Sequence, residues 1–125
     1  MVAKRVLVPA RVRRPPREGF SWVDRRFLRD HATGLSRDGI LLYFFLAAVS
    51  DKSGISFWSD ASIAARLRLD VTTVGRAREE LLARDLVAYE PPLTQVLTLP
   101  EPRARSSNTD SESIGAILRR LRGSP

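Results

Sequence analysis

The stretch "RLRLDVTTVGR", from Arg66 to Arg76, concentrates side chains that can bind phosphates and base edges. A guanidinium group donates paired hydrogen bonds to a phosphate or to guanine, and a threonine hydroxyl bonds to a phosphate. A glycine in such a stretch lets a ligand approach the backbone closely. These residue types indicate contact with a nucleic acid, and the candidate residues are Arg66, Arg68, Val71, Thr72, Thr73, Gly75 and Arg76.

Base recognition by this stretch depends mainly on Arg76. Bidentate recognition uses Arg or Lys for guanine and Asn or Gln for adenine, and Arg76 is the residue that fits this requirement. The methyl groups of Val71 and Thr72 can contact thymine. The pattern therefore predicts binding that is dominated by phosphate contacts, with modest sequence preference.

A second group of arginines lies in residues 1–19. The chain carries a net charge of +7, of which +5 falls in residues 1–19, none in 20–100 and +2 in 101–125. Prolines in the first segment exclude a continuous helix, so it is predicted to be a flexible basic arm. Such an arm can follow a DNA groove, and the arginines expected to do so are Arg11, Arg13, Arg14 and Arg17. A disordered solubilising tail is the alternative interpretation.

Two helical patterns must position the stretch from Arg66 to Arg76. Ser59 and Asp60 are candidate N-caps of the first helix, and Asp70 is the candidate N-cap of the second, which runs from Val71 to about Arg84. Apolar residues at helical spacing are expected to face inward, and these are Ile63, Ala64, Leu67, Val74, Ala77 and Leu81. Leu69 is expected to fill the turn between the two helices. Arg78 and Glu79, further along the second helix, are expected to face outward.

Further elements precede and follow this pair. Ser21 is a plausible N-cap of a first helix that Gly34 ends. Ser36 is expected to cap a second helix, residues 36 to about 50, which is apolar nearly all round, as is typical of a central helix. "ISFW" is a short strand-prone run. After Asp85, "LVAYE" and "LTQVLTL" are predicted to form an antiparallel hairpin.

This order of elements, and above all "SIAARLRLDVTTVGRAREELLARDLVAYE", resembles the winged helix-turn-helix family of DNA-binding domains. The family occurs in bacterial transcription regulators and at the N-terminus of plasmid and phage replication initiators. The resemblance covers roughly residues 20–100, and its most specific residues are Ala64 at the helix crossing, Leu69 in the turn and Asp70 as the cap. It implies a mainly α fold with a small β-hairpin, in which helix 71–84 enters the major groove. Arg68 stands where the family usually carries glycine in a left-handed turn.

The hairpin differs from many winged-helix proteins in its charge. A Lys or Arg often lies at the tip of the wing in this family, whereas here no basic residue occurs between Asp85 and Pro100. The wing is therefore predicted to contribute little affinity for DNA, and the arm is predicted to supply the missing charge.

The C-terminal part combines a polar linker, residues 101–112, with a short amphipathic helix, residues 113–123. The helix is predicted from an apolar stripe at i, i+3, i+4 and i+7, which consists of Ile114, Ile117, Leu118 and Leu121. The arginines around the stripe would suit an acidic surface. We expect the stripe to contact a second copy of the chain or a partner protein, and packing on its own domain is the alternative.

Several classes of protein are not indicated. The chain has no cysteine and a single histidine, His31, and it lacks the common nucleotide-binding and protease motifs, so we expect no enzyme activity, no cofactor and no metal. The longest apolar run, residues 40–49, is too short to span a membrane, and the N-terminus lacks the apolar region of a secretory signal. We expect a cytoplasmic, nucleoid-associated protein.

The favoured hypothesis is a non-enzymatic protein that binds double-stranded DNA through helix 71–84 and the basic arm. It would act as a transcriptional regulator or as an accessory factor of replication or transposition. The alternatives are a winged-helix adaptor that contacts another protein, and a packaging protein that binds nucleic acid without sequence preference.

Overall fold

The computed structural model describes residues 3–101. These residues form a mainly helical domain with a small antiparallel sheet, and the elements are α1 (Arg37–Val49), β1 (Ile55–Ser56), α2 (Asp60–Leu67), α3 (Val71–Ala83), β2 (Val87–Glu90) and β3 (Leu93–Val96). None of the helices in this range has the length and apolar character needed to cross a membrane. The predicted C-terminal helix and all of the predicted linker except Glu101 lie outside the described residues.

Each of the three longer helices begins at a side-chain cap, as predicted. The Ser36 hydroxyl accepts a hydrogen bond from the Gly39 N–H at 3.0 Å and so caps α1. Ser59 caps α2 in the same way, so Asp60, the other candidate, is the first residue of the helix instead. Because these contacts span three residues, the local sequence is sufficient to specify them.

The predicted first helix differs from the observed structure. Only a π-helical turn, Phe27–His31, and a following 3₁₀ turn, Ala32–Gly34, are present. Ser21 does not cap them: its hydroxyl donates a hydrogen bond to the Ala48 carbonyl at 3.0 Å, near the end of α1. Ser21 therefore fixes the point at which the N-terminal segment joins the domain.

The core lies between α1, α3 and the inner face of the sheet. The Phe27 ring stacks on Tyr43 of α1 with 3.9 Å between ring centres. The largest side chains that are fully buried are Phe27, Leu42, Leu46, Ile63, Val74, Leu81 and Leu86. Leu99 is also buried against this cluster, so the packed unit extends almost to the end of the described chain.

The sheet contains one strand more than the predicted hairpin. β3 lies in the centre, pairs with β2 as expected, and also pairs with β1. Gly54, just before β1, has a φ of +86°, and a Cβ atom there would lie 2.5 Å from the Val96 carbonyl oxygen. Glycine is therefore required where the chain enters the sheet.

A carboxylate of α3 fixes that helix against the start of α1. The Glu80 carboxylate accepts hydrogen bonds from the Ser36 N–H at 2.8 Å and from the Ser36 hydroxyl at 2.6 Å. A side chain at Gly39 would block this approach, since its Cβ atom would lie 2.7 Å from the Glu80 Oε1 atom. The position of α3 on α1 is thus set by a specific polar contact as well as by apolar packing.

Candidate nucleic-acid interface

The turn between α2 and α3 consists of Arg68, Leu69 and Asp70. Arg68 adopts the left-handed conformation, with φ 61° and ψ 44°, and its N–H bonds to the Ala64 carbonyl. The Leu69 N–H bonds to the same carbonyl at 3.0 Å, and its side chain packs against the core. The left-handed turn anticipated at this position is present, with arginine in a conformation that costs a residue other than glycine about 1–2 kcal/mol.

The N-terminus of α3 is capped by Asp70, whose carboxylate accepts a hydrogen bond from the Thr73 N–H at 2.7 Å. This backbone bond, together with a second bond from the Thr73 side chain, lowers the pKa of Asp70, so the cap is ionised near neutral pH. Thr73 therefore serves the cap, although its sequence position also suggested a phosphate contact.

The outward side of the first half of α3 carries Val71, Thr72 and Arg76, which are all exposed. Among residues 3–101, Arg76 forms no ion pair, and its charge acts only at a distance to lower the pKa of Asp70. Gly75 lies beside them, and a Cβ atom there would meet no other atom within 4 Å. The fold thus does not require glycine at this position.

Arg66 and Arg68 flank the turn on the α2 side, and both are exposed. The Arg66 guanidinium lies over the Trp58 ring, 5.4 Å from its centre, which holds the charge against the surface by a cation–π interaction. Arg68 projects from the left-handed turn itself. The turn therefore places two positive charges next to the capped end of α3.

The predicted arm is an exposed chain. Residues 3–19 contain one short 3₁₀ turn, Pro9–Arg11, and none of their side chains is buried. The arginines of the arm are Arg11, Arg13, Arg14 and Arg17. Within the described part of the chain, they form no ion pair and no side-chain hydrogen bond. The structure brings together the candidates of the turn and of α3, and it does not join the arm arginines to them.

Arg78 was expected on the outward side of α3, and this expectation is wrong. Its side chain is only 7% exposed, and it pairs with both oxygens of the Asp60 carboxylate. Its guanidinium also stacks on Tyr89, 4.1 Å from the ring centre. Arg78 follows Val74 by four residues and precedes Leu81 by three, so the helical period alone places it on the buried stripe.

Arg78 therefore links three elements rather than contacting a ligand. Asp60 starts α2, Arg78 belongs to α3, and Tyr89 belongs to β2. A buried guanidinium needs such partners, because an unpaired charge in the interior is costly. The contact holds the two helices of the turn and the hairpin in one arrangement.

The exposed charges around the turn are mainly positive once these contacts are taken into account. Glu80 is bound to Ser36 and Arg78 is paired, which leaves Arg66, Arg68 and Arg76 against the capping Asp70 and the exposed Glu79. The hairpin that follows carries no positive charge, and its tip is formed by Glu90, Pro91, Pro92 and Leu93. The positive charges on this surface therefore come from the turn and α3, and none comes from the hairpin.

Comparisons of the chain with protein-family models, with curated proteins and with solved structures find no match. Within residues 3–101, no group of three or more His, Asp or Glu side chains could hold a metal ion.

Proposed function

We propose that this protein is a non-enzymatic DNA-binding protein with a winged helix-turn-helix domain, in which β2 and β3 form the wing. It would serve as a transcriptional regulator or as an accessory factor of replication or transposition. The observation that carries the proposal is the left-handed turn at Arg68, which precedes the capped end of α3 and the exposed Arg76, a residue that forms no ion pair within residues 3–101. Such a turn allows the start of the second helix to reach into a major groove.

In this arrangement, the contacts divide into those that position the protein and those that read bases. The free N–H groups at the start of α3, the Thr72 hydroxyl and the side chains of Arg66 and Arg68 bind phosphates. Arg76 donates to the O6 and N7 atoms of a guanine. The arm arginines add contacts along an adjacent groove, and they compensate for a wing that carries no positive charge.

One experiment separates this proposal from the two alternatives. Purified full-length protein is used to select bound fragments from random duplex DNA. Enrichment of a common sequence supports a regulator or an accessory factor, whereas equal retention of unrelated sequences favours a packaging protein. Failure to retain any duplex at low salt would contradict the proposal and favour a protein adaptor.

Replacing Arg76 by Ala is expected to weaken binding to the selected sequence by about 1–3 kcal/mol and to relax the preference at one base pair. The fold should not change, because the side chain is exposed and unpaired within the described chain. Binding is measured by fluorescence anisotropy and stability by urea denaturation. Arg37→Ala, at an exposed position outside the turn, is the control. Unchanged affinity in a folded Arg76→Ala protein would rule out major-groove docking by α3.

Replacing Gly75 by Ala separates the stability of α3 from DNA binding. Because the new Cβ atom meets no neighbour within 4 Å, the fold should gain about 0.5–1 kcal/mol from the higher helix propensity of alanine. Affinity for DNA should fall, because the methyl group lies between the helix backbone and the groove. Unfolding and binding titrations of the same preparation measure both effects. A more stable variant with undiminished affinity would show that DNA does not approach the backbone at Gly75.

A further inference from the structure

Large apolar side chains are exposed on the N-terminal segment that lies beside the end of β3 and at the β1–β3 pair. Trp22 is 75% exposed, Phe57 72%, Phe20 67% and Leu93 44%. We call these four residues the aromatic band. Exposed apolar groups that are gathered on one surface commonly mark an interaction site.

The band lines two adjoining clefts, which meet where Ile55 of β1 pairs with Gln95 of β3. The pairing of β1 with β3 sets Ile55 opposite Gln95 and Ser56 opposite Thr94, so the next step of the register brings Phe57 beside Leu93. An open cleft of about 450 Å³ is lined by both Phe57 and Leu93. A second cleft, of about 700 Å³, lies between residues 18–22 and the end of β3, and Asp51 lines both clefts.

The charges at the border of the band are mainly acidic. Glu18, Asp51 and Lys52 line its clefts, and Glu90 faces Leu93 across the hairpin. The Asp51 carboxylate accepts hydrogen bonds from the Ser53 and Ile55 N–H groups at 2.8 and 3.0 Å, so it is fixed in place as an anion. The surface therefore suits a segment that combines apolar and basic side chains.

We propose that the aromatic band is the docking site of the chain's own C-terminal segment, residues 113–123. The sequence of this segment has the complementary chemistry: its apolar residues are Ile114, Ile117, Leu118 and Leu121, and its basic residues are Arg119, Arg120 and Arg122. The apolar stripe covers the band, and the arginines lie against its acidic border.

The length of the intervening chain allows this contact. The described chain ends at Glu101, just after the buried Leu99, and residues 102–112 connect it to the segment. An extended chain of this length reaches roughly 35 Å, whereas a domain of this size has a radius of gyration of about 13 Å. The segment can therefore reach the surface of its own domain.

The C-terminal segment of the same chain is favoured over the C-terminal segment of a second copy as the group that covers the aromatic band. A short tether gives an effective concentration in the millimolar range, which favours an intramolecular contact. Four apolar side chains bury much less surface than the roughly 800 Å² per partner of a stable interface between proteins. The band contains none of the residues assigned to DNA contact, so this proposal does not depend on the proposed function.

The test uses Trp22 in the full-length protein. If the segment covers the band, acrylamide should quench Trp22 weakly in the parent protein and severalfold more strongly in the variant Ile117→Asp/Leu118→Asp. The chain has two tryptophans, so the same measurements on Trp22→Phe proteins supply the contribution of Trp58. Ser106→Asp/Ser107→Asp adds the same charge in the linker, outside segment 113–123, and it should leave the quenching at the parent value.

Sedimentation of the same proteins identifies the occupant. A monomeric parent in which the stripe substitutions expose Trp22 supports docking within one chain. A dimer that dissociates when the stripe is substituted would show that a second copy covers the band, which would overturn the proposal. Equal quenching of Trp22 in the parent and in the stripe variant would overturn it as well. Thermal unfolding of each variant verifies that the domain itself has stayed folded.

Discussion

Raising the salt concentration from about 50 mM to about 200 mM is expected to weaken the binding of duplex DNA by about a thousandfold or more. The estimate follows if the turn, α3 and the arm together neutralise about five to eight phosphates, since each contact adds about 0.9 to the slope of log affinity against log salt. Anisotropy titrations of full-length protein over this range measure the slope.

Substituting the arm arginines should make that slope shallower. A full-length variant with glutamine at the four positions 11, 13, 14 and 17 should lose up to about 3.6 from the slope if each arginine contacts one phosphate. Arg37→Gln, on α1, removes a positive charge outside the proposed interface and should leave the slope nearly unchanged. An equal slope for the parent and the arm variant would mean that the arm does not touch DNA.

Replacing Asp60 by Ala is expected to lower the free energy of unfolding by about 3 kcal/mol. The change leaves the Arg78 guanidinium buried at 7% exposure without its anion, with only the Tyr89 ring as a partner. Urea denaturation measures the loss. Asp24→Ala is the matched control, because the Arg26 guanidinium that it leaves without a partner is 47% exposed and therefore solvated.

A second substitution identifies the cause of the Asp60 effect. Adding Arg78→Met to Asp60→Ala removes the stranded charge and leaves an apolar side chain to pack on Tyr89, so much of the lost stability should return. If Asp60→Ala is no more destabilising than Asp24→Ala, the contact of α2 with α3 and β2 does not depend on the ion pair. If the double variant is as unstable as the single one, the loss arises from α2 itself.

Features that depend on neighbouring residues could be predicted from the sequence. The caps at Ser36, Ser59 and Asp70 each join a side chain to a backbone group three residues later, so the pattern contains all that is needed. The inward residues of α3 followed from the helical period in the same way, since Val74 and Leu81 are both fully buried.

Features that depend on distant residues could not be predicted as well. Ser21 bonds to Ala48, 27 residues away, and nothing in the sequence around Ser21 distinguishes this contact from a helix cap. The contact of Glu80 with Ser36 spans 44 residues. The helical period places Arg78 on the buried stripe, but charged side chains are normally solvated, and the distant partners Asp60 and Tyr89 that make its burial possible cannot be recognised from the sequence. Residues of the proposed interface remain predictions until binding is measured.

The middle and second half of α3 are fixed to the rest of the domain more firmly than its first half. This difference affects how the proposed DNA specificity of the helix can evolve. Glu80 and Arg78 tie the middle and second half of the helix to α1, α2 and the sheet, whereas Val71, Thr72 and Arg76 make up an exposed surface beside the open position of Gly75. Substitutions at these four positions leave the packing of the core intact, so under the proposed contact of α3 with DNA, selection can change the target sequence without a loss of foldability. A library randomised at positions 71, 72, 75 and 76 would then contain mostly folded members that differ in the DNA they prefer.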